Sequence, residues 1–118
     1  MSKTVLLVED EFLIAMDLKL LLEQRGWIVI GPAATVVEAL GLLQNARPSV
    51  AVLDVTLKDG PVTRVAEVLR ARNIPFVIAS AYELPEHVGG EALSGAPNVG
   101  KPTDERDLFR ALEQAVQS

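Results

Sequence analysis

The chain has 118 residues, room for one domain with one core. It contains no cysteine, which removes disulfides, thiolate metal sites and thiol nucleophiles together. A net charge of −5 argues against nucleic acid as a direct ligand, and no stretch nears the roughly 18 uninterrupted apolar residues of a membrane span.

Apolar runs alternate with helical patterns along the chain, which points to βαβ units and a parallel sheet. Val5 to Val8 is the first strand, followed by Glu9-Asp10-Glu11. A helix is expected from Glu11 to Arg25, with Ile14, Leu18, Leu21 and Leu22 toward the sheet and Gly26 closing it. Leu13, Met16 and Leu20 form a second apolar stripe on this helix. Such a stripe is read first as core, and otherwise as a docking face for a kinase's helices or a second copy of the chain. Trp27 to Ile30 is a second strand, stopped by Gly31-Pro32.

Thr35-Val36-Val37-Glu38 has the form of a capping box and opens a helix carrying Val36, Leu40 and Leu43 to about Asn45. The third strand, Val50 to Leu53, ends at Asp54. A loop to Gly60 leads into a helix with Pro61 near its first turn and Val65, Val68 and Leu69 buried. Phe76 to Ala79 is the fourth strand, with Ser80 at its end. Pro85, Gly89, Gly90 and Gly95 leave only a short or irregular helix between Glu83 and Gly95. A short fifth strand near Asn98-Val99 precedes Lys101-Pro102, and Thr103 is placed to cap a last helix with Leu108, Ala111, Leu112 and Ala115 inward.

If these strands lie in parallel, Asp10, Asp54 and Lys101 meet at one carboxyl edge, the place where open α/β sheets bind ligands. Crowded carboxylates call for a hard divalent cation such as Mg²⁺. Acids, metal and an adjacent lysine are the parts needed to move a phosphoryl group. The fold expected is α/β, a flavodoxin-like three-layer sandwich over residues 1–118, with about five helices around five parallel strands in the order 2-1-3-4-5.

With Glu9-Asp10, Asp54, Ser80 and Lys101-Pro102 in this order and spacing, the whole chain resembles the receiver domain of two-component response regulators. The resemblance implies that Asp54 accepts a phosphoryl group from a phosphohistidine on a sensor histidine kinase or phosphotransfer protein. Asp10 and Asp54 would ligate Mg²⁺, assisted by Glu9 and by the Thr56 backbone carbonyl. Lys101, joined to Pro102 by a cis bond, and Ser80 would bind phosphoryl oxygens, while Thr56 and Tyr82 would tune hydrolysis of the acyl phosphate. It further implies a cytoplasmic, non-enzymatic phosphoacceptor, monomeric or weakly dimeric, whose output runs through an unassigned downstream protein or through acting as a phosphate sink. The face of the fourth helix, fifth strand and fifth helix would carry that output.

Asn98 stands where many receivers have an aromatic ring, and Thr103 where an aromatic often follows Lys-Pro. Pro75 to Tyr82 resembles a subgroup with a Pro-Phe-x-Phe-Ala-Thr-Gly-Tyr-like fourth strand, from which Ile78, Ser80 and Ala81 depart. The alternatives are a degenerate receiver used only for binding, a flavodoxin-type carrier and a haloacid-dehalogenase-like phosphatase. Glu9-Asp10-Glu11-Phe12 suits neither enzyme, repelling a flavin phosphate and lacking the phosphatase's paired acids. Gly95 to Lys101 matches the start of a nucleotide phosphate loop, but Pro102 replaces the Ser or Thr that would hold Mg²⁺. The sole histidine, His87, reads as a surface residue.

Overall fold

The computed structural model describes residues 3–117. In chain order the elements are β1 (Thr4–Val8), α1 (Phe12–Gln24), β2 (Ile28–Ala33), α2 (Val36–Asn45), β3 (Val50–Leu53), β4 (Thr56–Leu57) and β5 (Gly60–Pro61). There follow α3 (Thr63–Ala71), β6 (Phe76–Ile78), α4 (Glu86–Gly89), a 3-10 turn (Glu91–Leu93) and α5 (Glu105–Gln117). The main sheet is parallel in the order β2-β1-β3-β6, and β4-β5 is a separate short antiparallel ribbon.

The apolar runs are continuous because both faces of the sheet are covered, and successive side chains go to opposite faces. Leu6, Val8, Ala51, Leu53 and Ile78 pack with Val36, Ala39 and Leu43 of α2 and with Val65, Ala66 and Leu69 of α3. On the other face Val5, Leu7, Val52 and Val77 meet Leu18 and Leu22 of α1 and Leu108 and Leu112 of α5. The result is the three-layer α/β sandwich the strand pattern implies, with the first four expected strands in their expected order.

The fifth strand shrinks to a single parallel bridge between Ile78 and Asn98. Around it the Ile78 amide donates to the Pro97 carbonyl at 2.8 Å, and the Val99 amide to the Ile78 carbonyl at 2.8 Å. Pro97 has no amide to extend the ladder, and Gly100, at φ +84°, turns the chain away. The second strand, by contrast, continues through Gly31-Pro32 to Ala33 with a register shift opposite Leu6–Val8. Gly31 has φ +102°, and a Cβ there would sit 2.9 Å from the Leu7 carbonyl oxygen, so glycine lets the strand slip register without stopping.

Helix ends differ from expectation where a better acceptor is at hand. Thr35 caps α2 through the Glu38 amide at 3.0 Å, but Glu38 accepts from the Thr35 hydroxyl and does not reach back to the backbone. The first amides of α2, on Val36 and Val37, donate instead to the Asp59 carboxylate at 2.8 and 3.3 Å. Pro61 belongs to the β4-β5 ribbon that occupies part of the expected loop, ahead of the first turn of α3. Asp104, not Thr103, caps α5, accepting from Arg106 and Asp107, while the Thr103 hydroxyl donates to the Gly100 carbonyl. Leu13 and Leu20 are 75 % and 58 % exposed, so they are not core.

Candidate functional site

The register of the central strands builds the site. Val8 is paired with Leu53 in β1 and β3, so Glu9-Asp10 and Asp54 leave the sheet side by side, and the Asp54 amide donates to the Val8 carbonyl at 2.9 Å. Beyond β6, Ala79 donates to the Leu53 carbonyl and delivers Ser80 to the same edge. The bridge at Asn98 brings Lys101 in from the far side. Sequence separation is thereby converted to proximity: carboxylate oxygens of Glu9, Asp10 and Asp54 lie within 4.8 Å of one another.

Lys101 is the cation of this cluster. Its ammonium lies 3.2 Å from Glu9, 3.2 Å from Asp54 Oδ2 and 3.4 Å from Glu11. Glu9 is nearly sealed from solvent and its Oε2 accepts from the Glu11 amide at 3.1 Å. Asp54, also buried, accepts from its neighbour's amide on Val55 at 2.8 Å through Oδ1. The two Asp54 oxygens are therefore unlike: one is held by the backbone, the other faces the ammonium.

Desolvation is the main influence on Glu9, and with the charge of Asp54 it outweighs the Glu11 amide and Lys101, pushing the carboxyl up to about 7. Desolvation pulls the Lys101 ammonium down, but hydrogen bonds and charge from Glu9 and Asp54 win, and its proton affinity rises above the ordinary lysine range. Lys101 therefore stays charged, and the pocket keeps an excess of negative charge. A cluster of oxygen donors of this kind, short of positive charge, fits a small hard cation such as Mg²⁺, which takes carboxylates and keeps several waters.

The structure brings together Glu9, Asp10, Asp54 and Lys101 and adds Glu11, an ion-pair partner whose only signal in the sequence is the acidic run after β1. The Lys101–Pro102 bond is cis. Ser80 is buried at the edge of the pocket, where its Oγ accepts from the Tyr82 amide at 3.0 Å. Among the described residues no hydrogen bond joins Ser80 to the acids. Thr56 opens β4 two residues after Asp54 and its side chain is exposed, as is Tyr82. His87 is an exposed residue of α4, away from the cluster.

Asn98 stands where many receivers have a ring, and in the structure its amide has work of its own. Its Oδ1 accepts from Ser80 and Gly100, and its Nδ2 donates to the Tyr82 carbonyl. Periodicity carries no signal for such a contact.

Among the described residues no helix is long and apolar enough to cross a membrane. The profile of the family described as "Response regulator receiver domain" matches residues 5–113. The chain is 34% identical over 98% of its length to the phyllosphere-induced regulator PhyR of Methylorubrum extorquens, covering 44% of that protein. The crystal structure of the response regulator PhyR from Brucella abortus superposes with a TM-score of 0.78 at 33% identity, over 99% of this chain and 49% of that one. A CheY-like receiver domain protein from Methanospirillum hungatei gives 0.85 at 25% identity, over 99% and 95% of the two chains. The chain spans about half the length of the curated relatives it matches. With these matches and the acidic pocket at the expected edge of the sheet, the chain belongs to the response regulator receiver domain family of two-component signal transduction.

Proposed function

We propose that this domain accepts a phosphoryl group on Asp54 from the phosphohistidine of a sensor histidine kinase or phosphotransfer protein. In that step an Asp54 oxygen forms a bond to phosphorus, the phosphorus–nitrogen bond breaks, and the histidine ring leaves with the electron pair. The observation that carries the reading is the asymmetric Asp54 carboxylate, buried, held at Oδ1 by Val55 and facing Lys101 at Oδ2. A backbone bond on one oxygen fixes the orientation of the other, which is what an in-line attack requires.

Glu9, Asp10 and Asp54, with the Thr56 carbonyl, would hold Mg²⁺, which when bound offsets charge on the transferring group. Lys101 supplies a fixed positive point for a phosphoryl oxygen and Ser80 a hydroxyl donor. Adding the doubly charged group gives both a new partner, and that change biases the surrounding loops between alternatives. The exposed Phe12, Leu13 and Leu20 lie on α1, directly after the acidic run, and support a kinase-docking face there. Exposed Tyr82, Leu84 and Val88 support an output face at α4, working by protein–protein contact unless the domain is a phosphate sink. Family membership supports a cytoplasmic setting and a role as phosphoacceptor rather than enzyme.

Incubation with acetyl phosphate or phosphorylated kinases, followed by intact-mass measurement, tests the reading. Wild type gains one phosphoryl group in Mg²⁺ and none in EDTA, and Asp54→Asn gains none. Equal labelling of the Asn variant would sink the assignment, and an unlabelled wild type would favour a degenerate, binding-only receiver.

A further inference from the structure

The regular ladder at the end of β6 runs out at Ala79, whose amide still finds the Leu53 carbonyl. From Ser80 onward no strand among the described residues pairs with the backbone, and a side chain takes over. Asn98 Oδ1 accepts the Ser80 amide at 3.1 Å and the Gly100 amide at 3.0 Å, and Asn98 Nδ2 donates to the Tyr82 carbonyl at 2.8 Å. The bond to Gly100 alone is a local turn of the sort asparagine often makes. The other two are not local: they cross to the opposite loop and grip it on both sides of the Ser80–Tyr82 turn. The Asn98 backbone is itself pinned by the bridge to Ile78. Three of the four hydrogen-bonding valences of one carboxamide are thus used on three different peptide groups.

Ser80 carries its hydroxyl on one side of this clamp, and Gly100 precedes Lys101 on the other. We propose that Asn98 is a positioning residue that ties the Ser80 loop to the Lys101 turn, so that hydroxyl and ammonium present themselves to a bound tetrahedral anion as one unit. The inference rests on the reading of Asp54 as phosphoacceptor and extends it. A displacement of Ser80 toward such an anion is transmitted through the carboxamide to Gly100 and Lys101. A fixed amide, where a mobile ring is common in the family, makes the two loops move together.

Beryllofluoride with Mg²⁺, a phosphoryl mimic, is titrated into wild type, Asn98→Ala and the similarly sized, apolar Asn98→Leu, followed by fluorine NMR and amide hydrogen exchange. Both variants are expected to bind about tenfold more weakly, the size of one or two partly exposed hydrogen bonds. Exchange at Ser80 and Gly100 accelerates by a similar factor, while Leu7 and Val52 in the centre of the sheet keep their wild-type protection. Wild-type affinity in either variant overturns the inference. So does loss of protection that spreads to Leu7 and Val52, since Asn98 is then only a stability element. Failure of wild type itself to take up beryllofluoride overturns the Asp54 reading, and this inference falls with it.

Discussion

Replacing Glu9 by Gln removes one negative charge from the pocket while keeping the side chain's size and an oxygen for the Glu11 amide. Burial is the main reason the carboxyl is pushed from 4.5 up to about 7, reinforced by Asp54 and opposed by Glu11 and Lys101. A carboxyl whose folded value exceeds its unfolded one holds its proton better when folded. Its contribution to stability is therefore complete below about 4.5 and is lost as pH rises through 7. At about 1.4 kcal/mol per unit, the cost of the ionised form has a ceiling of roughly 3 kcal/mol. Solvent at the mouth of the pocket and the neighbouring ammonium screen part of it, leaving about 2 kcal/mol at pH 8. Glu9→Gln is accordingly expected to be more stable than wild type by that amount, about 8 °C in Tm for a domain of this size. Urea melts in EDTA between pH 4.5 and 8.5 measure it. The gain should be near zero at the acid end and full above neutrality. A variant less stable than wild type at pH 8, or a difference that does not change with pH, would falsify the account of Glu9 as a strained acid.

Lys101→Met leaves Glu9, Glu11 and Asp54 without their cation, and we expect a loss of roughly 2–4 kcal/mol at pH 8 that shrinks toward pH 5 as Glu9 protonates. An unchanged denaturant midpoint at pH 8 would contradict it. Asp59 is held below the ordinary aspartate range chiefly by the Val36 amide, so its contribution is present above the unfolded value and lost as pH falls through the folded one. Asp59→Ala should lower Tm at pH 6 by an amount that shrinks as pH falls through the folded value; equal Tm at pH 6 would show that the α2 amides do not need the carboxylate. Leu13→Ala with Leu20→Ala should change stability by less than about 0.5 kcal/mol, because both side chains are exposed. The double variant should label normally with acetyl phosphate and slowly from a phosphorylated kinase. If both donors label it at wild-type rates, α1 is not the docking face.

What was legible in the sequence is what depends on period and on strand ends. Val5 to Val8 and Val50 to Leu53 announce buried parallel strands because nothing polar interrupts them, and parallel strands place Asp10 and Asp54 at one edge whatever lies between. What was not legible depends on competition between local and distant partners. Thr103 has the right hydroxyl for a helix cap, but Asp104 stands one residue nearer the helix and takes its amides. Gly31-Pro32 reads as a stop, yet glycine tolerates the close approach to Leu7 and the strand runs on. Leu13 and Leu20 fit a helical stripe, but only the face bearing Leu18 and Leu22 meets the sheet, and spacing alone does not say which of two stripes wins. Asn98 was conspicuous only for a missing ring, since side chain to backbone contacts leave no periodic trace.

The charge arrangement also explains why such a pocket suits a switch. Lys101 divides itself among Glu9, Glu11 and Asp54 at 3.2 to 3.4 Å, and none of the acids has it alone. Converting the Asp54 carboxylate to an acyl phosphate, the step proposed above, would replace that carboxylate charge with phosphoryl oxygens further out. The ammonium then has reason to leave Glu9, whose raised proton affinity lowers what it loses by being left. The same imbalance that holds down the stability of the resting domain thus lowers the cost of changing partners. A pocket with its charges fully paired at rest would be more stable and a poorer sensor of one added phosphoryl group.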